Sequence, residues 1–263
     1  MTEERPTVMS DTPLPSAEIL RIPTLDTILT SPHLRPMFQP IVHMAAGWPV
    51  FGYESLARYR SGNPLLDPDF LFLYAGRSNR ICDLDVACLT RSIEHGTALA
   101  QDRRLFLNIH PAMLPEIDRW AGMLEQAVAS GAIPAENIIL EVTEQGSVDE
   151  QHLAIRAFDR LKAIGLQLAL DDVGVAYSHL ALIDRINPRY LKISQHFGTG
   201  FERDSTKQKI IRNITSLARD FGAEVVLEGI ETEDTAIAAR DLGIQLGQGY
   251  WFGRPQDATK YVM

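Results

Sequence analysis

The chain alternates short apolar runs with longer segments in which apolar residues recur every three to four positions. The short runs predict strands, and the longer segments predict amphipathic helices. The predicted strands cover residues 37–42, 51–58, 105–109, 138–143, 167–171, 190–193, 224–228 and 246–251. The predicted helices cover residues 68–78, 82–101, 113–130, 148–164, 177–186, 203–221 and 233–242. Strands that alternate with helices in this way are typical of an α/β protein with a largely parallel sheet.

This element order predicts a modified (β/α)8 barrel of the TIM type. The first two strands depart from the regular repeat, because only a short segment containing Gly47 and Pro49 separates them. That segment is too short for a helical crossover, so we expect the two strands to pair as an antiparallel hairpin. A doubly wound open sheet is the alternative, although no glycine-rich phosphate-binding loop follows an early strand.

Carboxylate and carboxamide side chains recur at or near the ends of these strands. The residues are Glu54, Asn108, Glu141, Asp171, Asp172, Glu228 and Gln248. An unpaired buried carboxylate is costly, so the simplest interpretation is that the strands share one end and the acids share a cation. Oxygen donors without nearby His or Cys suit hard divalent metals such as Mg²⁺ or Mn²⁺. The pattern therefore predicts metal-dependent chemistry on a phosphate ester.

Composition narrows the range of partners. The chain has 263 residues and a formal net charge of −9, which argues against a general DNA- or RNA-binding surface and against an anionic-membrane binder. An anionic small molecule remains compatible, since bound metal ions would reverse the local charge. Residues 1–18 are rich in proline and polar residues and predict a flexible tail, followed by one domain over residues 19–263.

The expected compartment is the cytoplasm. Cys82 and Cys88 fit no common zinc-binding spacing and are interpreted as free thiols. The acidic amino terminus has no apolar segment typical of a signal peptide, and no apolar run approaches transmembrane length. The sequence leaves open whether the chain is a complete protein or a fragment, and which signal controls it.

Several short motifs occur in a fixed order between about residue 35 and residue 257. They are Phe38-Gln39-Pro40-Ile41-Val42, Glu54-Ser55-Leu56 with Arg58, Leu107-Asn108-Ile109-His110-Pro111, Leu140-Glu141-Val142-Thr143-Glu144, Asp171-Asp172, Leu191-Lys192-Ile193, Glu228-Gly229-Ile230-Glu231-Thr232 and Gln248-Gly249-Tyr250-Trp251-Phe252-Gly253-Arg254-Pro255. As an ordered set they resemble the EAL-domain family of cyclic di-GMP phosphodiesterases. The resemblance implies a barrel with an antiparallel first strand, and hydrolysis of cyclic di-GMP to linear pGpG.

The resemblance also implies a role for each matching residue. It implies two divalent cations, Mg²⁺ or Mn²⁺, held by Glu54, Asn108, Glu141, Asp171, Asp172 and Glu228. It implies that Lys192, Glu228 and Gln248 act in catalysis. Substrate contacts are implied for Gln39, Glu54, Leu56, Arg58, Asp172 and Pro255. It further implies that Glu144 and Glu231 support the site from outside, and that the protein is a homodimer formed through the barrel.

Two departures from the family pattern keep a second function open. The loop after the paired aspartates reads Asp-Asp-Val-Gly-Val-Ala over residues 171–176, where the family usually has Phe, Thr and Gly at positions 173, 175 and 176. Ser194 stands where the family commonly has Asp. The alternative function is therefore a cyclic di-GMP receptor with weak or no hydrolysis.

Overall fold

Eight strands close into one barrel in chain order. The structure is a computed structural model that describes residues 22–60, 67–143, 148–175, 183–184 and 186–262. The strands are β1 (Leu34–His43), β2 (Val50–Tyr59), β3 (Arg104–Ile109), β4 (Ile138–Thr143), β5 (Gln167–Val173), β6 (Tyr190–Ile193), β7 (Glu224–Leu227) and β8 (Leu246–Gln248). Neighbouring strands pair from β1 through to β8, and β8 pairs back with β1. The predicted barrel is thus confirmed, and the open sheet is excluded.

The first strand runs against both of its neighbours. β1 pairs antiparallel with β2 in a register that places Gln39 opposite Glu54, and it pairs antiparallel with β8. All other neighbouring pairs are parallel. The predicted antiparallel first pair is confirmed, and β2 to β8 therefore present their carboxyl ends at one face of the barrel.

One helix precedes β1, and the others lie between later strands along the chain. They are α1 (Leu25–Thr30), α2 (Pro68–Arg77), α3 (Ile81–Gly96), α4 (Ile117–Ala129), α5 (Val148–Ala163), α6 (Gln195–Gly198), α7 (Ser205–Asp220) and α8 (Glu233–Asp241). Side-chain caps fix several starts, as where Asp204 accepts bonds from the main-chain N–H groups of Thr206 and Lys207. The predicted helix at 177–186 and the predicted tail at 1–18 fall largely or wholly outside the described residues.

Two predicted elements differ from the structure for local reasons. The predicted helix at 113–130 is divided into a 3-10 turn at Pro111–Glu116 and helix α4, because Pro115 has no N–H group to continue an α-helical ladder. The predicted strand at 246–251 ends at Gln248. Beyond it the chain folds back, and a Cβ on Gly249 would lie 2.0 Å from the carbonyl oxygen of Ile230.

The lower part of the barrel interior is a closed apolar layer, here called the barrel floor. It consists of Ile41, Phe106, Ile139, Ala169, Tyr190, Val226 and Leu246. Each of these residues is at most 2% exposed. Two larger apolar clusters and a smaller one that joins α1, α2 and α3 to the first two strands form the rest of the core. In the described part of the chain, the helices are too short or too polar to cross a membrane.

Candidate active site at the carboxyl end of the barrel

The polar side chains at the barrel mouth follow from the two-residue period of the strands. Successive side chains of a strand point to opposite faces, so a residue two positions after a floor residue also faces inward. Glu141 follows Ile139, Lys192 follows Tyr190, and Glu228 follows Val226 in this way. The same spacing holds for Asn108, Asp171 and Gln248, while Gln39 precedes Ile41 on the antiparallel strand β1. A polar layer therefore lies directly above the barrel floor.

The centre of this layer is the ammonium group of Lys192. Its Nζ lies 2.9 Å from Glu228 Oε1, 3.0 Å from Glu141 Oε2, and 3.4 Å from both Glu54 Oε2 and Asp171 Oδ1. The Lys192 side chain is fully buried. Four carboxylates, three on β2, β4 and β5 and one directly after β7, thus converge on one positive charge.

Glu54 is also held by two carboxamides. Asn108 Nδ2 donates to Glu54 Oε1 at 2.8 Å, and Gln248 Nε2 donates to Glu54 Oε2 at 2.6 Å. Gln248 Nε2 also lies 3.1 Å from Gln39 Oε1, and Gln39 Nε2 donates to the carbonyl oxygen of Gly253 at 3.1 Å. This carbonyl was missed from the sequence, because a main-chain acceptor leaves no side-chain signal.

Burial and mutual charge separate the pKa values of the four acids. Burial raises the pKa of Glu228 to about 7 and raises the pKa of Glu141 well above its ordinary value, with repulsion from neighbouring acids adding to the effect. Burial and repulsion from Glu54 likewise raise the pKa of Asp171. Burial would also raise the pKa of Glu54, but attraction to Lys192 and the two carboxamide bonds outweigh it, so that this pKa is lowered.

The pKa of Lys192 itself is raised well above its ordinary value. Burial opposes its charge, yet the four surrounding acids outweigh that effect. Lys192 is therefore a permanent cation over the physiological pH range, and the polar layer contains one fixed positive charge among several acids that differ in their tendency to hold a proton.

The donor set fits divalent cations, although the side chains now face Lys192. Within the described ranges, no group of three or more His, Cys, Asp or Glu side chains is arranged to hold a metal ion as it stands. Two acceptors, Glu141 Oε1 and Gln248 Oε1, are nevertheless buried without a hydrogen-bond partner among the described residues. Carboxylate and carboxamide oxygens are the donors that Mg²⁺ and Mn²⁺ prefer. The residues fit such a cation if it neutralises part of the negative charge that Lys192 now neutralises.

The paired aspartates point in different directions. Asp171 reaches Lys192, whereas Asp172 is exposed and has a left-handed backbone with φ of +53°. The main-chain N–H of Asp172 donates to Asp171 Oδ1 at 2.9 Å and so fixes the first carboxylate. A left-handed residue at this point takes the chain out of strand geometry at the barrel rim.

Other predicted site residues lie around the polar layer and not in it. Leu56, Arg58 and Pro255 are half-buried, and the described contact of the Arg58 guanidinium is with the carbonyl oxygen of Ala57. Glu231 is exposed, and Glu144 lies outside the described residues. Their roles in substrate binding or support stay predictions.

A glycine on α6 sets the position of Glu228, and the motif pattern did not single it out. A Cβ on Gly198 would lie 1.7 Å from the carbonyl oxygen of Glu228. The main chain at Glu228 can therefore approach α6 only because position 198 has no side chain. The apolar-run pattern could not show this contact, since it joins two segments far apart in the chain.

Comparison with known families identifies the domain. The family model described as EAL domain matches residues 24–255. The chain belongs to this family. The EAL motif is Glu54-Ser55-Leu56 on β2, and its glutamate is the residue held by Lys192, Asn108 and Gln248.

Named relatives are similar to the chain at modest identity. The chain is 25% identical over 255 residues to a Pseudomonas aeruginosa protein named cyclic di-GMP phosphodiesterase RocR, covering 93% of this chain and 64% of the relative. It is 29% identical over 236 residues to cyclic di-GMP phosphodiesterase PdeF of Escherichia coli, covering 88% of this chain and 31% of the relative. The chain spans only 37% of the length of a Mycobacterium tuberculosis relative that is 29% identical over 233 residues.

Solved structures agree with this fold. The PaMucR phosphodiesterase in complex with c-di-GMP has a TM-score of 0.77 and 25% identity, with 87% of this chain and 99% of that chain covered. Klebsiella pneumoniae BlrP1, in a calcium and cyclic di-GMP complex, has a TM-score of 0.76 and 26% identity, with 86% and 56% covered. Both neighbours are complexes with the cyclic dinucleotide, and both are about a quarter identical to this chain.

Proposed function

We propose that this EAL domain hydrolyses one phosphodiester bond of cyclic di-GMP, with divalent cations, and releases linear pGpG. The observation that carries the proposal is the convergence of Glu54, Glu141, Asp171 and Glu228 on one point at the barrel mouth. A cluster of acids repels a phosphodiester unless cations stand between them. The names of the relatives RocR and PdeF and the dinucleotide complexes of the structural neighbours support the same substrate.

Two groups of residues would hold the cations, either Mg²⁺ or Mn²⁺. Glu54, Asn108, Glu141 and Asp171 would hold the first, and Asp171, Asp172 and Glu228 the second. When bound, the cations would supply charge to the phosphate oxygens and lower the pKa of the attacking water.

The remaining polar residues would orient the reaction. Lys192 Nζ would donate a hydrogen bond to the attacking water, and Gln248 would hold the cluster through its bond to Glu54. Gln39 and Arg58 would contact the substrate, with Leu56 and Pro255 at the edge of its binding site. One water oxygen forms the new bond to phosphorus, one ester oxygen leaves, and the proton released from the water ends on that leaving oxygen.

The deciding experiment incubates the purified chain with cyclic di-GMP and follows pGpG by chromatography. We expect product with Mg²⁺ or Mn²⁺, none with EDTA, and little with Ca²⁺, which prefers longer bonds and more ligands. Asp171→Ala should remove turnover, while Asp102→Ala, a change at an exposed turn residue, should leave it unchanged. Normal turnover in Asp171→Ala, or full activity in EDTA, would contradict the proposal.

A receptor function is the second candidate, and one observation favours it. Asp172, a proposed ligand of the second cation, is exposed in a left-handed conformation, and the neighbouring Val175 is 59% exposed. In a receptor, the same site would bind cyclic di-GMP without cutting it. Calorimetric binding of the dinucleotide together with an absence of pGpG after long incubation would establish this alternative and reject the enzyme.

Three further properties stay proposals. We propose a homodimer formed through the barrel, to be tested by light scattering of the purified chain. A cytoplasmic location and the absence of a DNA or RNA partner rest only on the composition and the sequence pattern.

A further inference from the structure

A buried acid on α3 lies outside the polar layer and has no role in the proposed chemistry. Asp85 is only 3% exposed, in the second turn of the helix. Aspartate is a weak helix former, and a buried carboxylate is costly unless hydrogen bonds hold it. Burial raises the pKa of Asp85 to about 7, which shows how strongly the surroundings disfavour its charge.

The hydrogen bond of Asp85 goes to the loop that follows β3. Its Oδ2 accepts from the main-chain N–H of His110 at 2.6 Å. The His110 ring is itself fixed, because its Nδ1 accepts from the N–H of Ala112 at 3.1 Å and the ring stacks on Phe72 with an interplanar angle of 9°. The main chain at His110 is therefore held from α3 while its ring is held from α2 and from its own loop.

This bond lies two residues beyond Asn108. Asn108 is near the end of β3, is exposed, and donates from Nδ2 to Glu54 Oε1 at 2.8 Å. The ladder between β3 and β4 continues only to Ile109, and directly past that residue the Asp85 bond joins the main chain of the loop to α3. A shift of the main chain at His110 would move the Asn108 carboxamide relative to Glu54.

We propose that Asp85 is a positioning residue for the cation site, acting through the main chain of His110 to fix Asn108 beside Glu54. The inference rests on the proposed function, since it assumes that Asn108 and Glu54 hold a divalent cation. It differs from a purely structural role of Asp85, which would change stability without changing the affinity for the cation. Residues that orient metal ligands from behind typically change metal affinity by about 10-fold to 100-fold when removed.

The test measures Mn²⁺ binding by calorimetry, with Mn²⁺ as the only ligand, in four variants of the full chain. Asp85→Ala removes the acceptor, and Asp85→Leu removes it while keeping a side chain of the same branching and heavy-atom number, which avoids the cavity that Ala would leave. Asp85→Asn keeps an acceptor oxygen for His110. Leu89→Ala, one turn further on the same helix and 2% exposed, is the control for destabilisation of α3 alone.

We expect the Mn²⁺ dissociation constant to rise by about 10-fold to 100-fold in the Ala and Leu variants, and to stay within about threefold in Asp85→Asn and Leu89→Ala. Wild-type affinity in Asp85→Leu overturns the inference, and so does an Asp85→Asn variant as weak as Asp85→Leu. A wild-type chain that binds Mn²⁺ but produces no pGpG overturns the phosphodiesterase proposal and leaves the Asp85 comparison intact. A wild-type chain that binds no Mn²⁺ overturns both.

Discussion

Replacement of Lys192 by methionine removes the positive charge at the centre of the polar layer while keeping the volume of the side chain. At separations near 3 Å, each contact with an acid contributes roughly 5 kcal/mol of gross attraction at an effective dielectric constant of about 20. Most of this is offset, because burial opposes all of the charges and the acids can bind protons when Lys192 is absent. Removing one partner of a buried ion pair costs about 3–5 kcal/mol in practice.

The measurement is thermal unfolding in EDTA, followed by circular dichroism. A loss of that size lowers the midpoint by roughly 10 °C in a domain of this length. Lys209→Met, a change at an exposed lysine of α7, is the matched control and should leave the midpoint unchanged. Addition of Mn²⁺ should raise the midpoint more in Lys192→Met than in wild type, since a divalent cation then replaces the missing charge. Equal midpoints of Lys192→Met and wild type in EDTA would refute the reasoning.

Two further predictions concern Gly198 and Asp85. Gly198→Ala places a Cβ on the carbonyl oxygen of Glu228, so it should displace Glu228 and lower kcat about tenfold or more. Gly122→Ala is the control and should leave kcat unchanged, because the space around Gly122 is open. Unchanged kinetics of Gly198→Ala would show that α6 moves instead. The pKa of Asp85 in the folded state is about 7, above its ordinary value of 3.8, so the native state keeps a proton that the unfolded state releases. The stability from this proton is complete below pH 4 and is lost as pH rises through 7. Between pH 4 and 8, the free energy of urea unfolding of wild type should therefore decrease relative to that of Asp85→Asn by at most about 4 kcal/mol. The neighbouring thiols do not titrate in this range, because burial raises the pKa of Cys82 to about 11 and that of Cys88 to about 12. His110, whose pKa is lowered by burial, is present in both proteins and so does not contribute to the difference between them. A stability difference between wild type and Asp85→Asn that does not change with pH would contradict the raised pKa of Asp85.

The barrel and the membership of its polar layer were predictable because both depend on strand periodicity. Acids two positions after buried apolar residues must face inward, and parallel strands bring their carboxyl ends together. The adjacent pair Asp171 and Asp172 could not both face inward on a regular strand, and the left-handed conformation of Asp172 is how the chain departs from it.

The central place of Lys192 could not be predicted in the same way. A strand pattern fixes the face on which a side chain lies, but it gives no distance across the barrel to β2 or β4. The burial of Asp85 was missed for another reason. In an amphipathic helix, an acid is normally assigned to the solvent-facing side, so the pattern of apolar residues gives no sign that it is buried. The sequence could have indicated its burial only through its position next to Leu84 and one turn before Leu89, which are both buried in α3.

The barrel floor closes the barrel interior below the polar layer. Phe106 and Tyr190 meet inside the barrel with ring centroids 5.4 Å apart, and Phe51 packs against both. Among the described residues these rings fill the barrel below the polar layer, so in the proposed reaction the attacking water, the dinucleotide and the product would all pass the opening at the barrel mouth. In that reaction pGpG would have to leave before the next cyclic molecule binds, and anything that covers the rim near Asp172 would block both steps.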